Sequence, residues 1–350
     1  MDAPNSAEWI EWLQRGKMQF ANSFRDSSAA RATLRVAICA TAFFAPAAQA
    51  SPGQAKKSVP RKPIAGTTWS KHDCGQGVEL RVSATSASQG SLLVAEIRSA
   101  KPLVDVSGKW TEKDIPFWQA DSTAAKGAVV WRAFVGVDLE QAAGEYKLVV
   151  SQKTGDGETA GCEASINVRE GKFATERLKV APNFVEPNPE QLAKAQEDQK
   201  KLREIYATAT PEKLWQGRFR IPLDGAKTGG NFGKRRVLNG KSNSPHTGVD
   251  FPSPTGTPVH AAQRGRVVVA GELYYSGNTV LIDHGLGVYT LYGHFSGIDV
   301  KVGDMVETGA VIGKVGATGR VTGPHLHWGL TVDRAHVNAL EIVSRTVSGE

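Results

Sequence analysis

Apolar residues in this chain recur with a period of two, in short runs that glycine, proline, aspartate and serine cut off. Trp131, Ala133, Val135, Val137 and Leu139 alternate with Arg132, Phe134, Gly136 and Asp138, and Tyr146, Leu148 and Val150 alternate with Lys147, Val149 and Ser151. Successive side chains of an extended strand point to opposite faces, so such runs are half-buried strands. With 37 glycines and 17 prolines in 350 residues, the interruptions come too often for a helical bundle. The pattern predicts a mainly β fold. Residues 64–172 read as an Ig-like β-sandwich, with several short strands and turn signals between them. No chemical constellation falls there, so spacing, partner contact or cover for a catalytic groove is the expected role.

Residues 173–213 read as a Pro-rich hinge and one helix. Asn188 is placed as the N-cap, Pro189 at the first helical position and Gln191 at the capping-box position. Leu192, Ala195, Leu202, Ile205 and Tyr206 follow at helical spacing, and the helix stops before Pro211. Residues 214–345 return to short glycine-punctuated strands and contain an internal echo. Gly256 to Val259 followed by Gly265 and Val267 resembles Gly303 to Val306 followed by Gly309 and Val315. The echo by itself would also suit a carrier-like hybrid barrel.

The same region holds the chemistry. Seven of the eight histidines lie beyond residue 245. They include His246-x-x-x-Asp250, His294 in Leu-Tyr-Gly-His, and His325-Leu326-His327. Imidazole is the commonest side-chain ligand for zinc and a general acid or base near neutral pH. A catalytic zinc site takes three protein ligands and keeps one position open. His246, Asp250 and one histidine of the 325/327 pair supply such a set. Period two puts His325 and His327 on one face of a strand and Leu326 on the other, so one can bind metal while its neighbour faces the water. Pro245 and Gly248 argue against a helix for His246-x-x-x-Asp250; a loop entering a strand at Val249-Asp250-Phe251 fits better. Strand alternation places Thr290, Tyr292 and His294 on one face. His260 and His284 are expected to hold turns or the sheet together, and His72 and His336 to be ordinary surface residues.

At this point the residues resemble a known family. Ser244-Pro245-His246-Thr247-Gly248-Val249-Asp250-Phe251 and Thr318-Gly319-Arg320-Val321-Thr322-Gly323-Pro324-His325-Leu326-His327-Trp328-Gly329 are similar to the metal-binding signatures of the lysostaphin-like zinc metallopeptidases. Gly277-Asn278-Thr279-Val280 and Ile282-Asp283-His284-Gly285 match the family's wording between them. The resemblance covers about residues 216–345 and departs from the pattern at none of the five key positions. It implies a small antiparallel β-sheet with a groove over the metal. It implies that His246, Asp250 and His327 bind one Zn2+ per chain and that His294 and His325 act on water and substrate. It also implies that peptide bonds of bacterial peptidoglycan are cut, and it favours the D,D cross-link between stem peptides over a glycine bridge. The chemistry agrees: zinc brings the pKa of a water toward neutrality and polarises the carbonyl, and two histidines move the proton and stabilise the oxyanion. No His-Glu-x-x-His helix supplies the base of that other protease class.

Such a substrate requires export. Arg31 and Arg35 precede an apolar run over residues 36–48, which leads into the small-x-small pattern Ala48-Gln49-Ala50. Residues 1–50 read as a signal peptide, with translation starting at Met18 as a simpler and more basic alternative. Residues 51–63 read as a flexible tether. A cleaved leader implies a periplasmic or secreted protein with no stable membrane insertion. Cys39 lies in the leader, so Cys74 and Cys162 remain, and each shares strand parity with a buried-type run. Exported chains with two cysteines favour one disulfide. The chain carries +7; the leader has five basic against four acidic residues, so the mature part keeps +6. That suits a polyanionic wall, and the absence of a basic-aromatic motif argues against nucleic acid. Nothing in the sequence specifies an oligomer. The competing reading is a non-catalytic peptidase-like module that binds and activates other wall hydrolases; intact ligand positions and a short helix count against it. If the sandwich covers the groove, deleting residues 51–185 should raise activity.

Overall fold

The computed structural model describes residues 69–120, 128–226 and 231–344. The expected leader, the Met18 start and the tether lie outside the described residues. The described residues belong to one compact unit, Lys62–Glu350, and are mainly β.

Ten strands make the first half: β1 (Ser70–Asp73), β2 (Val78–Val82), β3 (Ser86–Ser88), β4 (Leu92–Ser99), β5 (Leu103–Trp110), β6 (Lys113–Pro116), β7 (Trp118–Gln119), β8 (Val129–Gly136), β9 (Gly144–Thr154) and β10 (Thr159–Arg169). They form two five-stranded sheets, in the orders β1-β2-β4-β8-β7 and β3-β10-β9-β5-β6. Leu80, Ile97 and Val135 of the first sheet pack on Trp110, Leu148 and Ile166 of the second. A Cys74–Cys162 disulfide ties the two sheets across 88 positions. β9 shows the alternation without a break, burying Leu148, Val150, Gln152 and Thr154 while the residues between them stay exposed.

The outer face of the first sheet is not free. Leu92, Val94, Trp118 and Phe134 join a core with Trp215, Phe219 and Phe232 of the second half. The Trp118 and Trp215 rings meet edge to face at 5.1 Å. β4 is therefore buried on both faces, with only Arg98 partly exposed. A central sheet with apolar residues on both sides is what a three-layer stack requires.

The second half holds β11 (Thr175–Leu178), α1 (Pro189–Ala207), β12 (Arg235–Leu238), β13 (Lys241–Pro245), β14 (Gly248–Pro252), β15 (Pro258–His260), β16 (Gly265–Leu273), β17 (Gly277–Asp283), β18 (Val288–Ile298), β19 (Met305–Val306), β20 (Val311–Val315), β21 (His325–Val332), β22 (Ala335–Val337) and α2 (Ala339–Ser344). The nine strands from β14 onward form one antiparallel sheet around the path β14-β21-β18-β17-β16-β19. The internal echo becomes a pair of contacts: β15 pairs with β20 and β16 with β19.

The segment before this sheet folds onto it. β11 pairs in parallel with β12. α1 begins with the Asn188–Gln191 capping box and Pro189 in its first turn. Its Leu202, Ile205 and Tyr206 pack on Val269, Leu281 and Tyr289, and the Asp198 carboxylate accepts from Tyr274 N–H at 2.7 Å. No helix among the described residues is long and apolar enough to cross a membrane.

Candidate metal centre

The site stands where β14, β18 and β21 lie side by side. In the antiparallel register Asp250 faces His327 and Pro252 faces His325, while Gly293 of β18 faces His327 on its other side. Leu326 and Trp328 are fully buried on the core face, which leaves His325 and His327 together on the other, as period two requires. His246 enters from the two-residue link between β13 and β14.

The approach is close enough to need glycine at position 248. A Cβ there would sit 2.5 Å from His327 Cε1 and 2.8 Å from the Trp328 carbonyl oxygen. Steric demand at this crossing explains the Thr247-Gly248-Val249 sequence inside the His-x-x-x-Asp spacing.

His294 departs from the expected face. Thr290 and Tyr292 point into the core, where their hydroxyls meet at 2.9 Å, but His294 lies on the opposite face with its ring 4.7 Å from His325. The cause is a β-bulge. Val280 pairs with Tyr292 and Asn278 with Phe295, so Gly293 and His294 oppose the single residue Thr279. His294 takes a left-handed φ of 67°. A bulge adds one residue to one strand and re-aims a side chain, and simple alternation could not see it.

Three atoms converge. His246 Nε2 lies 2.9 Å from His327 Nδ1, and each is 3.0 Å from Asp250 Oδ1. His246 Nδ1 donates to the Asn231 carbonyl at 3.1 Å, which leaves Nε2 with a free lone pair. Two imidazoles and a carboxylate at this spacing fit one tetrahedral cation. Bonds of roughly 2.0–2.2 Å would set the three donors roughly 3.3–3.6 Å apart, a few tenths of an ångström wider than found.

The surroundings fix the carboxylate. Asp250 Oδ2 accepts from Asn231 Nδ2 and from Arg236, both at 2.8 Å, and the Asp250 N–H donates to Asn231 Oδ1 at 3.0 Å. Burial works against the Asp250 charge, yet the close approach of His246 and His327 outweighs it and holds the carboxyl far below the usual range. Burial pushes His246 down to about 4. Burial, then repulsion from His327 and His325, pushes His294 down to about 3. Both rings are neutral near pH 7.

His294 Nδ1 donates to Thr318 O at 2.8 Å, and His325 Nδ1 donates to Gly323 O at 2.8 Å. Each Nε2 is left as an acceptor, and that of His325 lies 3.7 Å from Asp250 Oδ1. Two clefts flank the cluster. One, of about 280 Å³, runs past Asp250 and His325 to Leu178 and Val180. The other, of about 210 Å³, runs past His246, His294 and His327 to Ala195 and Leu202 of α1. Arg236 and Arg320 line both.

Sequence reasoning missed Asn231 and Arg236. Arg236 was hidden in a basic run, Lys234-Arg235-Arg236, where a solvated charge is the ordinary reading. The other histidines serve the scaffold or its edge. Buried His284 bridges the Arg264 carbonyl and the Thr290 hydroxyl, and His260 Nδ1 donates to Gly309 O. His72 pairs with Ser70. His336 is half-exposed but not only a surface residue: its N–H donates to Asp138, joining the second half to the sandwich.

Residues 244–339 match peptidase family M23. The chain carries an M23 peptidase domain. Among curated relatives, the peptidoglycan DD-endopeptidase ShyA of Vibrio cholerae is 45% identical over 138 residues, which is 39% of this chain and 32% of that protein. The DD-carboxypeptidase/endopeptidase Mpg of Neisseria meningitidis is 44% identical over 101 residues, 29% of this chain and 23% of that protein. The glycyl-glycine endopeptidase ALE-1 of Staphylococcus capitis is 41% identical over 109 residues, 30% of this chain and 29% of that protein. The chain thus spans a third or less of the length of these relatives. A structure from Pseudomonas aeruginosa described as a peptidase M23 aligns with a TM-score of 0.56 at 27% identity, covering 73% of this chain and 94% of that one. That span exceeds the M23 domain alone, so the neighbour shares part of what precedes it.

Proposed function

We propose that this protein is an exported zinc endopeptidase that hydrolyses peptide cross-links of bacterial peptidoglycan, with the D,D cross-link as its bond. The observation that carries the reading is the convergence of His246 Nε2, Asp250 Oδ1 and His327 Nδ1 within 3.0 Å of one another. These three would hold one Zn2+. When bound, zinc supplies Lewis-acid polarisation of the scissile carbonyl and brings the pKa of a water toward neutrality.

The chain's own residues do the rest. Asn231 and Arg236 hold Asp250 by its second oxygen, so its first stays aimed at the site. His294 and His325 present their Nε2 atoms beside it, and burial keeps the His294 ring unprotonated. An attacking water gives its proton to one of them, and that imidazolium returns it to the leaving amine. The other donates toward the oxyanion after taking a proton from solvent. The clefts on either side accept an extended peptide across the site. The relatives named as peptidoglycan DD-endopeptidases support the substrate and the bond. The Cys74–Cys162 disulfide and the leader-like N-terminus support a periplasmic or secreted protein. The complete donor set disfavours a non-catalytic activator. Digestion of purified sacculi with and without chelator, with products identified by mass, tests the proposal. Chelator-sensitive release of cleaved cross-links is expected; undiminished digestion by the metal-stripped protein would overturn it.

A further inference from the structure

Arg320 is a cation without a carboxylate. Asp250 is taken by Arg236 and the two histidines, and Glu176 is taken by Lys234 at 2.9 Å. Arg320 has no acidic partner among the described residues, and burial and the neighbouring Arg236 cation both work against its charge. It is nevertheless partly buried and held in place. Its guanidinium lies over the Tyr275 ring at 4.4 Å, and the Arg320 backbone N–H donates to the Tyr275 carbonyl at 2.9 Å. The neighbouring Gly319 has φ +73° and packs so tightly on Gly277 that a Cβ would sit 2.4 Å from the Gly277 nitrogen. The loop is therefore rigid, and it is the loop whose Thr318 carbonyl orients His294.

A guanidinium stacked by its face on an aromatic ring keeps its N–H edge for a planar, bidentate anion. Leaving a cation desolvated and unpaired costs stability, so its placement where both clefts meet points to something delivered by the ligand. We propose that Arg320 is a specificity-determining residue that binds a free carboxylate of the substrate beside the scissile amide. The inference rests on the endopeptidase reading above and narrows its substrate class. A D,D cross-link made through a diaminopimelate-type residue bears a carboxylate on the carbon that carries the scissile nitrogen. An interior bond of a glycine bridge has no charge there. Arg320 thus favours the first bond over the second, a choice that the relatives' differing substrates leave open.

The test uses the zinc-loaded protein and two synthetic cross-linked dimers, one with that carboxylate free and one with it amidated. A charge-assisted hydrogen bond predicts a preference in kcat/KM for the free acid on the order of 10–100-fold. Arg320→Gln should bring the ratio of the two values toward one, Arg320→Lys should restore part of it, and zinc content and melting temperature should match the parent protein. Equal cleavage of both dimers by the parent, or an equal loss on both in Arg320→Gln, overturns the assignment. So does cleavage of a pentaglycine peptide with neither dimer cut. Cleavage of no peptide at all by zinc-replete protein sinks the endopeptidase reading itself, which is a separate failure.

Discussion

β9 in the sandwich and β18 in the M23 domain are both eleven-residue strands in antiparallel sheets. β9 keeps period two from end to end and carries no chemistry. β18 keeps it as far as Tyr292, then spends two residues against one and turns His294 to the other face. Alternation builds a core; the site lies where alternation fails. The same contrast holds for buried polar groups. In the sandwich, Glu96 and Arg132 answer each other at 3.1 Å. At the M23 site, three acceptor atoms crowd together and call for a cation from outside.

The largest effect belongs to the converging donors. His246→Ala and Asp250→Ala should each lose the metal, and activity on sacculi should fall to background while the sandwich stays folded. Metal analysis checks this directly; full zinc in either variant would remove that residue as a ligand. Next, His325→Ala and His294→Ala should keep zinc but lose at least ~100-fold in rate, the usual scale for a general base or oxyanion donor. An active, zinc-replete His325→Ala protein would return that side chain to the scaffold and blur the contrast.

How much of this was legible follows from the same contrast. The β class, the capping box at Asn188 and the shared face of His325 and His327 were readable because each rests on a local period or spacing. The parity of Cys74 and Cys162 was likewise local, and the structure joins them. His294's face was misread because a bulge depends on the register of a partner strand, set here by Val280 against Tyr292 and Asn278 against Phe295. Asn231, Arg236 and Arg320 gave no local signal, since their roles come from what the fold brings beside them. Nor was the shared core legible. The structure buries Leu92, Val94, Trp118 and Phe134 against the M23 domain, a partner that no local period announces.

That core sets the third prediction. Deleting residues 51–185 would strip cover from Trp215, Phe219 and Phe232, so loss of folded protein is expected, not the gain in activity that a simple lid would give. A milder probe is Trp118→Ala, which should cost about 3–5 kcal/mol as a large-to-small core change. It should loosen both halves in one denaturant transition. Two separate transitions, with only the sandwich shifted, would show that the halves are energetically independent.

The smallest effect comes from a histidine that the sequence rightly kept out of the site. His284 is fully buried, and burial lowers its pKa from the ordinary 6.5 to about 4. Above pH 6.5 the ring is neutral in both the folded and the unfolded chain, so it adds no pH dependence. As pH falls below 6.5 the unfolded chain takes up a proton that the folded chain refuses until about pH 4. Stability therefore drops across that window, by about 2 kcal/mol at pH 5 from this one group. His284→Gln keeps a side-chain donor near the Arg264 carbonyl but cannot titrate. In urea unfolding of metal-stripped protein, the variant should lose less stability than the parent between pH 6.5 and 5. Parallel losses in the two proteins would mean that the acid sensitivity lies with His246 and His294 at the site, and that the scaffold beneath β18 contributes none of it.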